Sequence, residues 1–98
     1  MSILLKRGVC GDLDPIMEKA LKKIHRIYQA YGEDLIITSI RDGTHGESGA
    51  GSLHYIGRAI DCRKGKVPIY AISSALGADF DCIDENLPPH YHIEYDPK

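Results

Sequence analysis

The clearest pattern along the chain is helical. Ala20, Leu21, Ile24, Ile27, Tyr28 and Tyr31 recur at spacings of three and four, and Glu18, Lys19, Lys22, Lys23 and Arg26 take the other side. Asp14 stands where an N-cap belongs, Pro15 suits the first helical position and Gly32 supplies the stop. Leu35-Ile36-Ile37-Thr38-Ser39-Ile40 is a β-rich run instead, which predicts a strand covered on both faces. The texture then changes. Residues 41–53 carry four glycines and almost no apolar side chain, a long loop of the kind that in compact domains is functional or disordered. Alternation returns over 58–63, with Ala59 and Asp61 on one face and Ile60 and Cys62 on the other. A short helix over 68–76 ends at Gly77, 80–83 reads as a brief strand, 84–89 as a turn and 90–95 as a last strand. The order α-β-β-α-β-β predicts an α+β fold, helices packed on a largely antiparallel sheet.

The chain has 98 residues, room for a single domain over 1–98. No apolar run approaches the ~18 residues of a membrane helix. The opening Met1-Ser2-Ile3-Leu4-Leu5-Lys6-Arg7 is too short a stretch for a secretory signal, and its charges follow it. Synthesis in the cytoplasm without a signal peptide is therefore expected, with no membrane partner. A net charge of −2 gives no basic excess, so counterion-driven nucleic-acid binding is not expected either. Cys10, Cys62 and Cys82 are too few and too scattered for a disulfide framework or a paired-cysteine zinc site. Each reads as a small core residue in a reducing compartment.

The histidines change the picture. His25 lies in the charged helix and reads as a surface residue. Strand period puts His90, His92 and Glu94 on one face of the last strand, with Tyr91, Ile93 and Tyr95 on the other. Glu94 is expected to point away, past any site centred on His92. His54 precedes the Gly57 bend, and Asp61 lies in the strand after it. If these strands are neighbours, two imidazoles and a carboxylate converge, and with an open fourth position that is a catalytic zinc arrangement. A plainer reading stands beside it: a polar strand face for His90 and His92, and an ion pair between Asp61 and Arg58 or Arg63. Spacing alone leaves both open.

Ser52, His54, Gly57, Ala59 and Asp61, in the pattern Ser-x-His-x-x-Gly-x-Ala-x-Asp, with His90-x-His92 downstream, resemble the signature of the M15 zinc peptidases. These are D-Ala-D-Ala carboxypeptidases and dipeptidases and phage L-alanyl-D-glutamate endolysins. Residues 52–55 and 57–59 are also similar to the hedgehog signalling domain, which shares that fold. The resemblance covers roughly residues 38–95. It implies a hedgehog/DD-peptidase fold and a Zn2+ cofactor held by His54, Asp61 and His92. It also implies His90 as a transition-state group beside the metal, and Arg41 as the cation for a substrate carboxylate or oxyanion. His45 and Ser48 would line the same cleft. The implied substrate is a peptide bond in the peptidoglycan stem.

One position departs from the family. Many members place the catalytic acid three residues before the last zinc histidine, where this chain has Pro89. Asp84 and Glu85 lie upstream, and Glu85 is preferred as the base for its longer reach and its place nearer the turn. The alternative is a hedgehog-like recognition module that binds zinc without hydrolysis. As an enzyme the chain would act as a monomer or within a larger phage assembly, reaching the wall after release or virion delivery.

Overall fold

Pro15–Ala30 forms helix α1, the segment where the periodicity predicts it. The Asp14 carboxylate accepts from the Ile16 N–H at 2.9 Å, and Gly32 ends the turn with φ 72°, a left-handed conformation that glycine adopts without strain. Met17, Ala20, Ile24 and Tyr28 form its buried stripe. Tyr31, which the spacing places in that stripe, instead caps the helix and is 40% exposed.

This computed structural model describes residues 3–5, 13–41 (Arg41 by its backbone) and 57–97. Around α1 it arranges β1 (Ile3–Leu5), β2 (Leu35–Arg41), β3 (Ala59–Cys62), α2 (Ile69–Leu76), β4 (Phe80–Asn86) and β5 (Pro89–Tyr95). The strands make one five-stranded sheet in the order β1-β2-β3-β5-β4. The β1–β2 pair is parallel and the others are antiparallel, which is the expected α+β architecture. The helices cover one face, packing Met17, Ile24, Tyr28 and Ile72 on Ile37, Ile60, Cys62, Tyr91 and Ile93. Two hydroxyls tie the layers: Tyr28 donates to the Arg63 carbonyl at 2.6 Å and Tyr91 to the Val67 carbonyl at 2.5 Å. Among the described residues no helix is long and apolar enough to cross a membrane.

Two elements differ from the sequence expectation. β1 is an added edge strand of three residues, too short to carry a period, and its side chains are all exposed. The hairpin between β4 and β5 is also tighter than predicted. Asp84-Glu85-Asn86 continue β4, Pro89 already pairs with Asn86, and only Leu87 and Pro88, joined by a cis peptide bond, make the turn. Polar residues read as turn formers, yet an exposed strand end accepts them. Proline is tolerated as the first residue of a strand. Lys64 reinforces that end, donating to Asn86 Oδ1 at 2.7 Å and pairing with Asp84.

β2 contains a β-bulge. Ile37 stands opposite Cys62, but Ser39 stands opposite Asp61, so Thr38 is one residue more than the β3 ladder matches. Leu35 and Ile37 face the core before it, and Ile40, opposite Ile60, packs on the core after it. Ser39 is thereby delivered to the opposite face, beside Asp61.

The start of α1 is fastened to β3. The Asp14 N–H donates to the Gly57 carbonyl at 3.1 Å, and Arg58 Nε donates to Asp14 Oδ2 at 3.2 Å. Asp14→Ala removes both the helix cap and this tie. It is expected to cost about 1–2 kcal/mol, read as a lower thermal or urea midpoint.

Candidate metal centre

The face of the sheet away from the helices carries the polar residues in rows. Ser39 of β2, Asp61 of β3, His92 of β5 and Ile83 of β4 stand opposite one another across four strands. On one side of this row His90 pairs with Glu85; on the other, Arg41, Ala59, Glu94 and Asp81 are aligned. Side chains directly opposite in an antiparallel pair share a face. The ladder therefore brings Asp61, His90, His92, Glu85 and Glu94 together, and it sends Asp84, opposite Tyr91, to the other side.

The His92 imidazole lies between two buried carboxylates. Its Nδ1 is 2.7 Å from Asp61 Oδ1 and its Nε2 is 3.0 Å from Glu94 Oε1. Asp61 is 4% exposed and Glu94 2%. Glu94 therefore does not point away from the site, as expected from sequence, but into it. The period-two alternation from His90 through His92 to Glu94 was the signal for this. Burial works against a charge on His92, but the hydrogen bonds and charges of Glu94 and Asp61 outweigh it and raise the pKa above the usual 6.5.

His90 is held differently. Its Nδ1 donates to the Pro88 carbonyl at 2.5 Å, and because a carbonyl only accepts, the proton is on Nδ1. Nε2 then faces Glu85 Oε1 at 3.7 Å and Asp61 Oδ1 at 4.0 Å. Beside it opens a cleft of about 330 Å³, between Thr38 and Ser39 on one side and the Pro88-Pro89-His90 end of the hairpin on the other. Asp61 and Arg63 complete its lining. Ser39 and Arg63 are site neighbours that the sequence pattern did not single out. The bulge that turns Ser39 toward Asp61 has no signature in residue type.

The donor set suits zinc, which takes imidazole nitrogen and carboxylate oxygen. Asp61 and His92 offer one of each from adjacent strands, with the Asp61 oxygen also near His90. Among the described residues no group of three or more His, Cys, Asp or Glu side chains is arranged to hold a metal. The third expected ligand, His54, lies outside the described residues, as do His45, Ser48, Ser52 and Cys10 and the side chain of Arg41. The described thiols match their reading as inert packing groups. Burial pushes both Cys62 and Cys82 up to about 11, so at neutral pH neither is a thiolate.

The raised His92 pKa predicts a pH dependence. In chelator-treated protein the charged ring stabilises the fold fully below about pH 6.5, the unfolded value, and this contribution is lost as pH rises through the folded value. The melting temperature of wild type relative to His92→Gln should therefore fall between pH 6 and 9. A flat difference over that range excludes a charged His92 held between Asp61 and Glu94. A metal ligand must be deprotonated, so any zinc held by Asp61 and His92 should bind more weakly as the pH is lowered.

No family model matches the chain, and neither does any curated protein or solved structure.

Proposed function

We propose that this protein is a zinc-dependent peptidase acting on a peptide bond of the peptidoglycan stem, of the D-Ala-D-Ala carboxypeptidase or L-Ala-D-Glu endopeptidase type. The observation that supports this reading is the pairing of Asp61 with His92. Two residues singled out by the sequence signature, 31 positions apart, face each other at 2.7 Å beside an open cleft. His54, Asp61 and His92 hold the metal in this reading. When bound, zinc polarises the scissile carbonyl and lowers the pKa of water from ~15.7 toward ~7.

The remaining chemistry belongs to the chain. Glu85, half exposed on the site face, takes the proton from the attacking water and returns it to the leaving amine. His90, fixed through Nδ1, lines the cleft and stands beside the position of the developing oxyanion. Arg41 supplies the cation for a substrate carboxylate. The cleft falls in the roughly 300–1,000 Å³ range of small-ligand sites and accommodates a short extended peptide. The substrate lies outside the cell membrane, so the chain reaches it by release or with a phage particle, alone or as part of that assembly.

Digestion of purified peptidoglycan by the zinc-loaded protein, with mass spectrometry of the fragments, tests the reading. The expected result is cleavage at a D-Ala-D-Ala or L-Ala-D-Glu bond. Zinc-loaded, folded protein that leaves the wall intact makes the domain a hedgehog-like recognition module instead.

A further inference from the structure

Arg63 lines the cleft, and the proposed reaction gives it no part. It stands one pair beyond Ile37 and Cys62 in the β2–β3 ladder, its N–H donating to the Ile36 carbonyl at 3.0 Å. Its own carbonyl accepts from the Tyr28 hydroxyl at 2.6 Å. The backbone is thus held from both sides, while the residue is exposed. Strand alternation puts its side chain on the face of Asp61, away from the helices.

The neighbouring cation is already committed. Lys64 pairs with Asp84, donates to Asn86 Oδ1 at 2.7 Å and lies over the Tyr91 ring, 5.7 Å from its centroid. Among the described residues no carboxylate is within ion-pair distance of the Arg63 guanidinium; Asp61 is turned to His92 and Asp14 to Arg58. Among the described residues lining the cleft, Arg63 is also the only lysine or arginine. A guanidinium stays charged at any working pH, and its planar fork matches a carboxylate through two parallel hydrogen bonds.

Resting on the peptidase reading of Asp61 and His92, we infer that Arg63 determines specificity: it binds a free carboxylate of the substrate peptide one to two residues from the scissile bond. The spacing sets that range. Arg63 lies two strand residues past Asp61, about 6.6–6.8 Å, which is the length of two residues of an extended peptide. Arg41 stands at the level of Ala59, on the other side of Asp61, so the two arginines serve opposite ends of the substrate.

The test gives the zinc-loaded full chain the synthetic stem pentapeptide L-Ala-D-Glu-L-Lys-D-Ala-D-Ala. Two analogues carry a carboxamide in place of either the D-Glu or the terminal carboxylate. Wild type should prefer the parent over one of the two by about tenfold in kcat/KM, the loss of one charge-assisted contact. In Arg63→Gln that ratio should fall to near one, mainly through KM. Arg63→Lys, which keeps the charge without the fork, should retain part of it. Titration of the same peptides into chelated protein, followed by NMR, reads binding without cleavage and should show the same preference. An unchanged preference in Arg63→Gln, or an equal loss toward all three peptides, overturns the inference. Hydrolysis by wild type without any carboxylate preference removes the inference and leaves the peptidase reading standing. Arg63-dependent binding without hydrolysis removes the peptidase reading alone. Neither binding nor hydrolysis removes both.

Discussion

Asp61→Ala and His92→Ala should each weaken zinc binding by roughly two to three orders of magnitude. Structural zinc sites bind with about 10–16 kcal/mol shared over four ligands, so one protein ligand carries about 2.5–4 kcal/mol. His54→Ala should behave alike if it completes the set. His90→Ala should not: its Nδ1 is committed to the Pro88 carbonyl, and its Nε2 stands 4.0 Å from Asp61, near the site without being part of the Asp61–His92 pair. Elemental analysis and chelator competition read the difference. Full occupancy in all three ligand variants would exclude the assignment. Loss in His90→Ala with retention in His92→Ala would exchange the two histidines. In the proposed zinc reading the metal binds the folded chain, so chelation should also lower the melting temperature of wild type.

The second large effect concerns the base. Glu85→Gln should retain zinc and fold while peptidoglycan hydrolysis falls at least about a hundredfold, the loss typical of a general base. Asp84→Asn should leave turnover nearly unchanged. Strand register separates these adjacent acids. Glu85 pairs with His90 on the site face, whereas Asp84 pairs with Tyr91 and is engaged by Lys64 on the other. Kinetics of both variants on the same wall preparation make the comparison. Normal turnover in Glu85→Gln with a dead Asp84→Asn would reverse the roles.

Much of this architecture is legible in the residues themselves. The Asp14 cap and the apolar stripe from Met17 to Tyr28 require α1, and the alternation around Asp61 and His92 requires two strands with polar and apolar faces. Alternation also contained Glu94, whose place on the His92 face follows from the same period. The partners of each strand are less legible, because pairing is decided by long-range packing and leaves no local mark. The β4–β5 hairpin illustrates this: Asp84-Glu85-Asn86 has turn composition, yet pairing with β5 and the hold of Lys64 keep it extended. β1 shows the limit of length, since three residues cannot display a period.

The extra residue at Thr38 carries a consequence for how β2 can change. In an uninterrupted strand every position has a fixed parity, odd inward and even outward or the reverse. β2 uses one parity up to Ile37 and the other from Ser39 onward. Pairing the strand straight through with Thr38 kept would exchange inside and outside for the segment that follows, sending the hydroxyl of Ser39 inward and Ile40 toward the cleft. Removing Thr38 would not: Ile37, Ser39 and Ile40 would then alternate inward, outward and inward in the register they already hold against Cys62, Asp61 and Ile60. A chain that lost this one residue could keep both its core and its polar face with no compensating change at 39 or 40.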